Sequence, residues 1–230
     1  MTKMVPICPR CKRPMKRVIY GMPTEDLYKR DDVIFGGCIL DGSERAWGCR
    51  CEQIPNRRVK FEIVVADITS QDVDVIVNAA NPSLEPGGGV CGAIHQAAGP
   101  ALAQACQRKY PLGVSSGSAV STKGFNLQAK WVVHAVAPDF RLTGPAGEYL
   151  LCAAYRNALL EADTLDAKSV AIPSLGTGIY GWRVEEVAPV VITTIQNTLL
   201  ELGNVEQVIL CCLNSDDKSL YANALSAILP

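Results

Sequence analysis

Histidine and aromatic residues are scarce in this chain, with two histidines and Phe, Tyr and Trp together at 6% of 230 residues. Stacking on nucleic-acid bases has little to draw on, and imidazole chemistry rests on His95 or His134 alone. Charge is not in excess in either sign. Twenty-two basic and 23 acidic residues leave a formal net of -1, which gives no long-range pull toward polyanions or membrane surfaces. No apolar run reaches the length of about 18 residues that a membrane-spanning helix needs. The first residues carry Lys3, Arg10, Lys12 and Arg13 without the apolar stretch of a signal peptide, so the expected location is the cytoplasm. No internal repeat or low-complexity run stands out.

Cysteine, by contrast, is plentiful and unevenly spread. Cys8, Cys11, Cys38, Cys49 and Cys51 fall within the first 51 residues, whereas Cys91, Cys106, Cys152, Cys211 and Cys212 sit in apolar or helical surroundings. In a reducing compartment the second set reads mostly as small buried hydrophobes, and the first as metal ligands. Cys8-Pro-Arg-Cys11 is a tight turn from which two thiolates can grip one zinc ion, and Cys49 with Cys51 supply two more for a tetrahedral site. Residues 1–55 are rich in Cys, Gly, Pro and charge, show no long helical periodicity, and are too few to build much core without such a staple. With Tyr20-Gly21-Met22-Pro23 and Gly36-Gly37-Cys38, the block resembles bacterial zinc-ribbon-like modules. Its second cysteine pair is one residue short of the usual spacing, which leaves Cys38 as a substitute ligand; the plainer alternative is unliganded thiols on a leader. A local surplus of Arg and Lys admits nucleic acid as a partner of this block, but too few aromatics support it.

After a linker at 54–58 the pattern changes. Phe61 to Ala66, Val73 to Asn78, Ser118 to Thr122, Trp131 to Ala137, Ser169 to Pro173 and Val208 to Leu213 read as strands. Helical stripes run over Val90 to Ala98, Pro100 to Arg108, Gly147 to Leu165 and Asp216 to Leu229. A further helix is expected to start near Glu186, which puts Pro189 in its first turn. This alternation predicts residues 59–230 as a three-layer α/β/α domain with a mixed, mainly parallel sheet, and a ligand site beyond the strand C-termini.

Two glycine-bearing loops follow strand ends: Gly87, Gly88 and Gly89, with a helix opening at Val90, and Gly176 to Gly181. Strand, glycine loop and helix N-terminus together are a recipe for holding an anion, and two such loops can clasp a diphosphate. Asp67, at another strand end, can accept from an exocyclic amine; Asn78 and Asn81 suit a ribose diol, and Tyr180 offers a flat face to a sugar. Singly these residues also read as a helix cap, turn residues and packing. Jointly they imply a nucleotide diphosphate sugar. His134, on an apolar strand, reads as a satisfied core histidine.

Ala66-Asp67-Ile68, Val77-Asn78-Ala79-Ala80-Asn81, Gly87 to His95 and Pro173 to Gly181 occur in the order and spacing of a macrodomain. Residues 59 to 229 resemble that ADP-ribose-binding module, and specifically its MacroD-like branch. The resemblance implies that Asp67 and Ile68 address adenine. It implies that Gly176, Thr177, Gly178, Ile179 and Tyr180 hold the diphosphate, with Ser174 and Leu175 in the same ligand-binding stretch, and that Asn78, Asn81 and the loop from Gly87 to Val90 hold the distal ribose. Leu213 stands where relatives often stack an aromatic on adenine. The resemblance further implies an ADP-ribosyl hydrolase acting on mono-ADP-ribosylated protein or nucleic acid, or an O-acetyl-ADP-ribose deacetylase; Asn81, Cys91 and His95 are the expected catalytic set, ADP-ribose or ADP-ribosylated protein the expected partner, and a non-catalytic reader is the alternative.

Cys91 departs from the family pattern, which has aspartate there. Four residues before His95 on one helix face, its thiol is expected beside the imidazole. A helix N-terminus and an imidazole both favour thiolate, which opens roles as base, nucleophile or water-positioning group. Simple packing against the ligand, and metal binding by these two ligands, are the other readings.

Overall fold

The computed structural model describes residues 59–228, together with the backbone of three short strands nearer the N-terminus. The chain divides into two compact units, Met1–Arg57 and Arg58–Pro230. In the first, β1 (Lys16–Ile19) pairs in parallel with β2 (Val33–Phe35) and antiparallel with β3 (Trp47–Gly48). Cys8, Cys11, Cys38, Cys49 and Cys51, and the linker at 54–58, lie outside the described residues.

The second unit is built on a six-stranded sheet. Its strands are β4 (Lys60–Val65), β5 (Val75–Ala80), β6 (Ala119–Lys123), β7 (Trp131–Val136), β8 (Ser169–Pro173) and β9 (Gln207–Cys212), in the spatial order β4-β9-β8-β5-β7-β6. All neighbours run parallel except the edge strand β6, which is antiparallel to β7. The mixed, mainly parallel sheet expected from the alternating pattern is the one observed. Parallel strands must be covered on both faces, because each crossover lays a helix on one of them.

The period-two alternation of the strands feeds two cores. Val75 and Val77 of β5, Val170 and Ile172 of β8, and Val208 and Leu210 of β9 enter the larger cluster. On that face lie α4 (Glu148–Thr164), α5 (Val184–Leu199) and α6 (Ser215–Ile228). Ile76, Val132, Ala171 and Cys211 point the other way, into a smaller cluster with Ile94 and Ala98 of α1 (Gly89–Ala98) and Leu102 of α2 (Pro100–Lys109). The short α3 (Phe140–Thr143) follows β7. Each fully buried Val, Leu or Ile contributes about 1.5–3 kcal/mol, which offsets the entropy of ordering the chain. Among the described residues no helix is long and apolar enough to cross a membrane.

Helix α5 begins at Val184, two residues before the expected start, and Pro189 lies inside it. Val184 is buried, and Glu185 and Glu186 place acidic charge on the positive end of the helix dipole. Those gains outweigh an interior proline that sits at an exposed position, where solvent can make up the lost hydrogen bond.

One carboxylate ties together the strand ends opposite the site. Asp74, just before β5, accepts from the Lys168 backbone N–H at 2.8 Å and the Ser169 N–H at 3.3 Å, and from Lys130 Nζ at 2.8 Å. Its hydrogen bond with Lys130 holds its pKa below the usual carboxylate range, and the two backbone N–H groups act in the same direction. Asp74→Ala is expected to cost about 1–3 kcal/mol in urea unfolding, the penalty for orphaned backbone donors. A carboxyl with a depressed folded pKa stabilises above its unfolded pKa and loses that contribution as the pH falls through the folded one. The gap between wild type and Asp74→Ala should therefore narrow on acidification, and a gap that stays constant down to the acid limit would count against this anchor.

Candidate functional site

Because β4, β9, β8, β5 and β7 run in one direction, the segments that leave their C-termini gather at a single edge of the sheet. These segments carry Asp67, Asn81, Ser174 and Leu213. Three of them build the site: the turn at Asp67, the loop from Asn81 to Gly89, and the loop from Ser174 to Gly181.

The two glycine loops meet. A Cβ placed on Gly88 would lie 3.0 Å from Ile179 Cδ1, so the first loop passes within van der Waals reach of the second. Helix α1 opens at Gly89 with Gly88 as its N-cap and no side chain capping it, which leaves first-turn N–H groups for an incoming anion. In the second loop Gly176 has φ +76°, a conformation costly for other residues, and its added Cβ would lie 2.7 Å from Trp182 Cδ1. Trp182 pins the loop from behind: its indole N–H donates to the Pro138 carbonyl at 2.8 Å, and Phe140 meets its ring edge-on at 4.9 Å. The Leu175 N–H donates to the buried Tyr155 hydroxyl at 2.7 Å. Gly178 and Ile179 stay exposed at the tip, and Tyr180 is half-buried.

Asn81 organises its own loop. Its Nδ2 donates to the Glu85 carbonyl at 2.7 Å, while its Oδ1 accepts from Ser83 Oγ at 2.8 Å and from the Glu85 N–H at 3.1 Å. Leu84 within that loop has φ +58° and is buried against Ala80, Cys106 and Val136, so packing holds a strained backbone in place. A depression of about 980 Å³ flanks this loop, lined by residues 82–86 on one side and by Tyr110, Leu112 and Val114 on the other; neither Gly87 to Gly89 nor the loop from Ser174 to Gly181 borders it.

The structure moves Asn78 off the ribose and adds detail at Ile68, Asp67, Cys91 and His95. Strand β5 runs to Ala80, so Asn78 lies inside it and is fully buried on the α1 face; it does not open onto a ribose. The alternation of β5 puts Asn78 on the same face as Ile76, with its Nδ2 3.2 Å from His134 Nδ1 and 3.7 Å from Cys91 Sγ. The Ile68 side chain is buried in the smaller core, which leaves its backbone as the part that can address a ligand. Asp67 caps the turn Ile68–Ser70, with Oδ1 accepting from the Thr69 N–H at 2.9 Å and from Thr69 Oγ1 at 2.8 Å; it remains exposed. Cys91 and His95 are both buried but no hydrogen bond joins them; the Cys91 thiol donates instead to the Glu85 carbonyl at 3.7 Å. That contact ties the sulfur to the loop from Asn81 to Gly89, a geometry that suits positioning.

His95 has neither ring nitrogen hydrogen-bonded, and burial lowers its pKa, so it is held as neutral imidazole. His134 is the satisfied core histidine expected from its strand, bonded to Asn78 and to Thr122 Oγ1. Leu213 is 90% exposed and Val65 at the end of β4 is 47% exposed, two apolar surfaces flanking Asp67 along the edge formed by β4 and β9. Among the described residues no cluster of three or more acidic, His or Cys side chains is placed to hold a metal.

Gly92 went unnoticed in the sequence. A Cβ there would lie 2.5 Å from the Gly87 carbonyl oxygen, so only glycine lets α1 pack this close to the loop. An isolated glycine inside a helical stripe was the available signal. The parts played by Tyr155, Trp182 and the Glu85 carbonyl had no local signal.

Two glycine loops and an uncapped helix N-terminus, converging beyond the C-termini of a parallel sheet, form a candidate anion site in an α/β/α domain. The family model described as Macro domain matches residues 77–191, and the chain belongs to the macrodomain family. A macro domain-containing protein of Chlorobaculum tepidum is 44% identical over 74% of this chain and 97% of its own length. An O-acetyl-ADP-ribose deacetylase of Salmonella typhimurium is 41% identical over 73% of this chain and 94% of its own. Among solved structures, the Oceanobacillus iheyensis macrodomain with ADP superposes with a TM-score of 0.70 at 38% identity, covering 76% of this chain and 95% of that one. The Trypanosoma brucei macrodomain in complex with ADP-ribose gives 0.65 at 29% identity, covering 72% and 68%.

Gly178 tests the site without testing the fold, since an added Cβ there meets nothing within 4 Å. Gly178→Glu should leave Tm within about 2 °C of wild type. It should weaken the affinity for ADP, measured calorimetrically, by more than about a hundredfold through like-charge opposition at the diphosphate. Undiminished ADP binding would remove the Ser174–Gly181 loop from the site.

Proposed function

We propose that this macrodomain binds ADP-ribose and hydrolyses bonds at its distal ribose, as an O-acetyl-ADP-ribose deacetylase and ADP-ribosyl hydrolase. The observation that carries the reading is the approach of the two glycine loops at Gly88 and Ile179, beside a buried Cys91 and a loop organised by Asn81. Backbone N–H groups of Ser174 to Tyr180 and of the first turn of α1 serve the diphosphate. The Asp67 carboxylate and the Ile68 backbone serve adenine, with Leu213 as an apolar cover in place of an aromatic. Asn81 and the Gly87–Val90 segment serve the distal ribose. The names of the relatives favour the hydrolase over a non-catalytic reader, since several at about 40% identity are called O-acetyl-ADP-ribose deacetylases.

In the deacetylation, water adds to the acetyl carbonyl carbon, the bond from that carbon to the ribose oxygen breaks, and the proton returns to the ribose hydroxyl. Acetate and ADP-ribose leave. Adenine and diphosphate, remote from the reacting ester, supply binding energy that orients the distal ribose. Asn81 acts at that end, with Cys91 holding the Glu85 carbonyl against it and His95 as a neutral neighbour. The same hydrolysis at a carboxylate-linked ADP-ribose returns the protein's free carboxyl group and releases ADP-ribose.

Acetate release from O-acetyl-ADP-ribose, and ADP-ribose release from a mono-ADP-ribosylated protein, test the reading on wild type, Asn81→Ala and Cys91→Ala. Asn81→Ala should lower kcat by about a hundredfold, the scale set by misplacing a reacting group. Cys91→Ala should lower it by about tenfold, since positioning is lost but no proton carrier. A wild type that binds ADP-ribose and releases nothing from either substrate would be a reader, and the hydrolase would fall.

For residues 1–55 the proposal is a zinc-binding adaptor that carries the macrodomain to its target, with Cys8, Cys11, Cys49 and Cys51 as ligands and Cys38 as the alternative to one of the second pair. Cysteine number and spacing support it. Elemental analysis of the purified chain should give one zinc per molecule, lost in Cys8→Ser with Cys11→Ser; a metal-free wild type would rule the zinc out.

A further inference from the structure

Parallel pairing sets Asn78 of β5 opposite His134 of β7, and this builds a chain of buried polar contacts that ends at the glycine loop. Thr122 Oγ1 lies 2.9 Å from His134 Nε2, with Cys106 Sγ at 3.5 Å from the same nitrogen. On the other side of the ring, Asn78 Nδ2 lies 3.2 Å from Nδ1 and 3.7 Å from Cys91 Sγ. The Cys91 thiol donates to the Glu85 carbonyl, and Asn81 Nδ2 donates to that same oxygen. Thr122, His134, Asn78 and Cys91 are all buried.

Burial drives the His134 pKa down to about 3, so the ring is neutral and carries one N–H. An Asn78 Nδ2 donor into Nδ1 requires that hydrogen on Nε2, where the Thr122 hydroxyl is placed to accept it. Asn78 Oδ1 is buried without a partner, so nothing at the far end of the amide selects its orientation. The Nδ1 lone pair selects it. A hydrogen moved to Nδ1 would set two donors face to face, and the amide would turn over to present Oδ1 to both His134 and the Cys91 thiol. The thiol would then have a second acceptor, and its hold on the Glu85 carbonyl would loosen.

We infer that His134 is a positioning residue for the distal-ribose end of the site. Its Nε2–H tautomer, held by Thr122, fixes the Asn78 amide, keeps the Cys91 thiol on the Glu85 carbonyl and thereby sets the loop that carries Asn81. The kinetic consequence rests on the hydrolase reading; the tautomer and the tether do not. A purely space-filling histidine would tolerate either tautomer.

The test compares wild type, Thr122→Val and Thr122→Ser in the full chain. Three readouts apply: ring ¹⁵N shifts of His134, peptide-resolved alkylation of Cys91 by iodoacetamide, and kcat and KM for O-acetyl-ADP-ribose. Wild type should show the Nε2–H tautomer. Thr122→Val should show Nδ1–H signal, faster Cys91 alkylation, and a kcat lowered roughly tenfold at unchanged KM, the scale of one lost buried hydrogen bond. Thr122→Ser should restore all three. An Nδ1–H imidazole in wild type overturns the inference with no variant needed, and so does unchanged Cys91 reactivity in a folded Thr122→Val. A wild type without hydrolysis would remove the hydrolase reading alone, because spectrum and alkylation still decide the positioning role.

Discussion

The parallel alignment of β5 between β7 and β8 is the constraint on which the rest depends. It sends every strand but β6 toward one edge, so the loops after β4, β5, β8 and β9 leave the sheet side by side. It also pairs Asn78 with His134 at one register position, which puts an amide and an imidazole in contact inside a hydrophobic face. A slip of one residue would turn Asn78 into the larger core and leave both groups without partners.

Around that alignment the fold separates rigid support from open backbone. Tyr155, Trp182 and Phe140 fix the second glycine loop from behind, while Gly178 and Ile179 stay exposed at its tip. The first loop is held by Asn81, by the strained Leu84 and by the close pass of Gly92. A site that uses backbone N–H groups for an anion needs this arrangement, because a mobile loop would lose on ordering what it gained in hydrogen bonds. The family's aspartate is absent, and the thiol that stands in its place is turned toward a backbone carbonyl. Cys91 thus takes part in holding the loop.

Much of this was legible in the linear pattern. Strand and helix identity followed from period, glycine and proline, because the apolar stripe that packs an element is written within the element itself. The two glycine loops were visible because close backbone approach excludes side chains. The start of α5 differs from the proline rule because burial of Val184 is a tertiary gain that no local rule reports. Asn78 reads as a ribose contact from its amide chemistry, but two further residues of strand place it in the core.

The class of fold, the two glycine loops and the family were written in residue types at short separations. What the polar residues do with one another came from the packing of distant strands. Cys91 and His95 share a helix face, yet the thiol bonds to Glu85 of the preceding loop; Asn78 and His134, 56 residues apart, are in contact. A buried polar group takes whichever partner the packing of distant strands brings within hydrogen-bond reach, because leaving it unpaired costs more than any local preference can return.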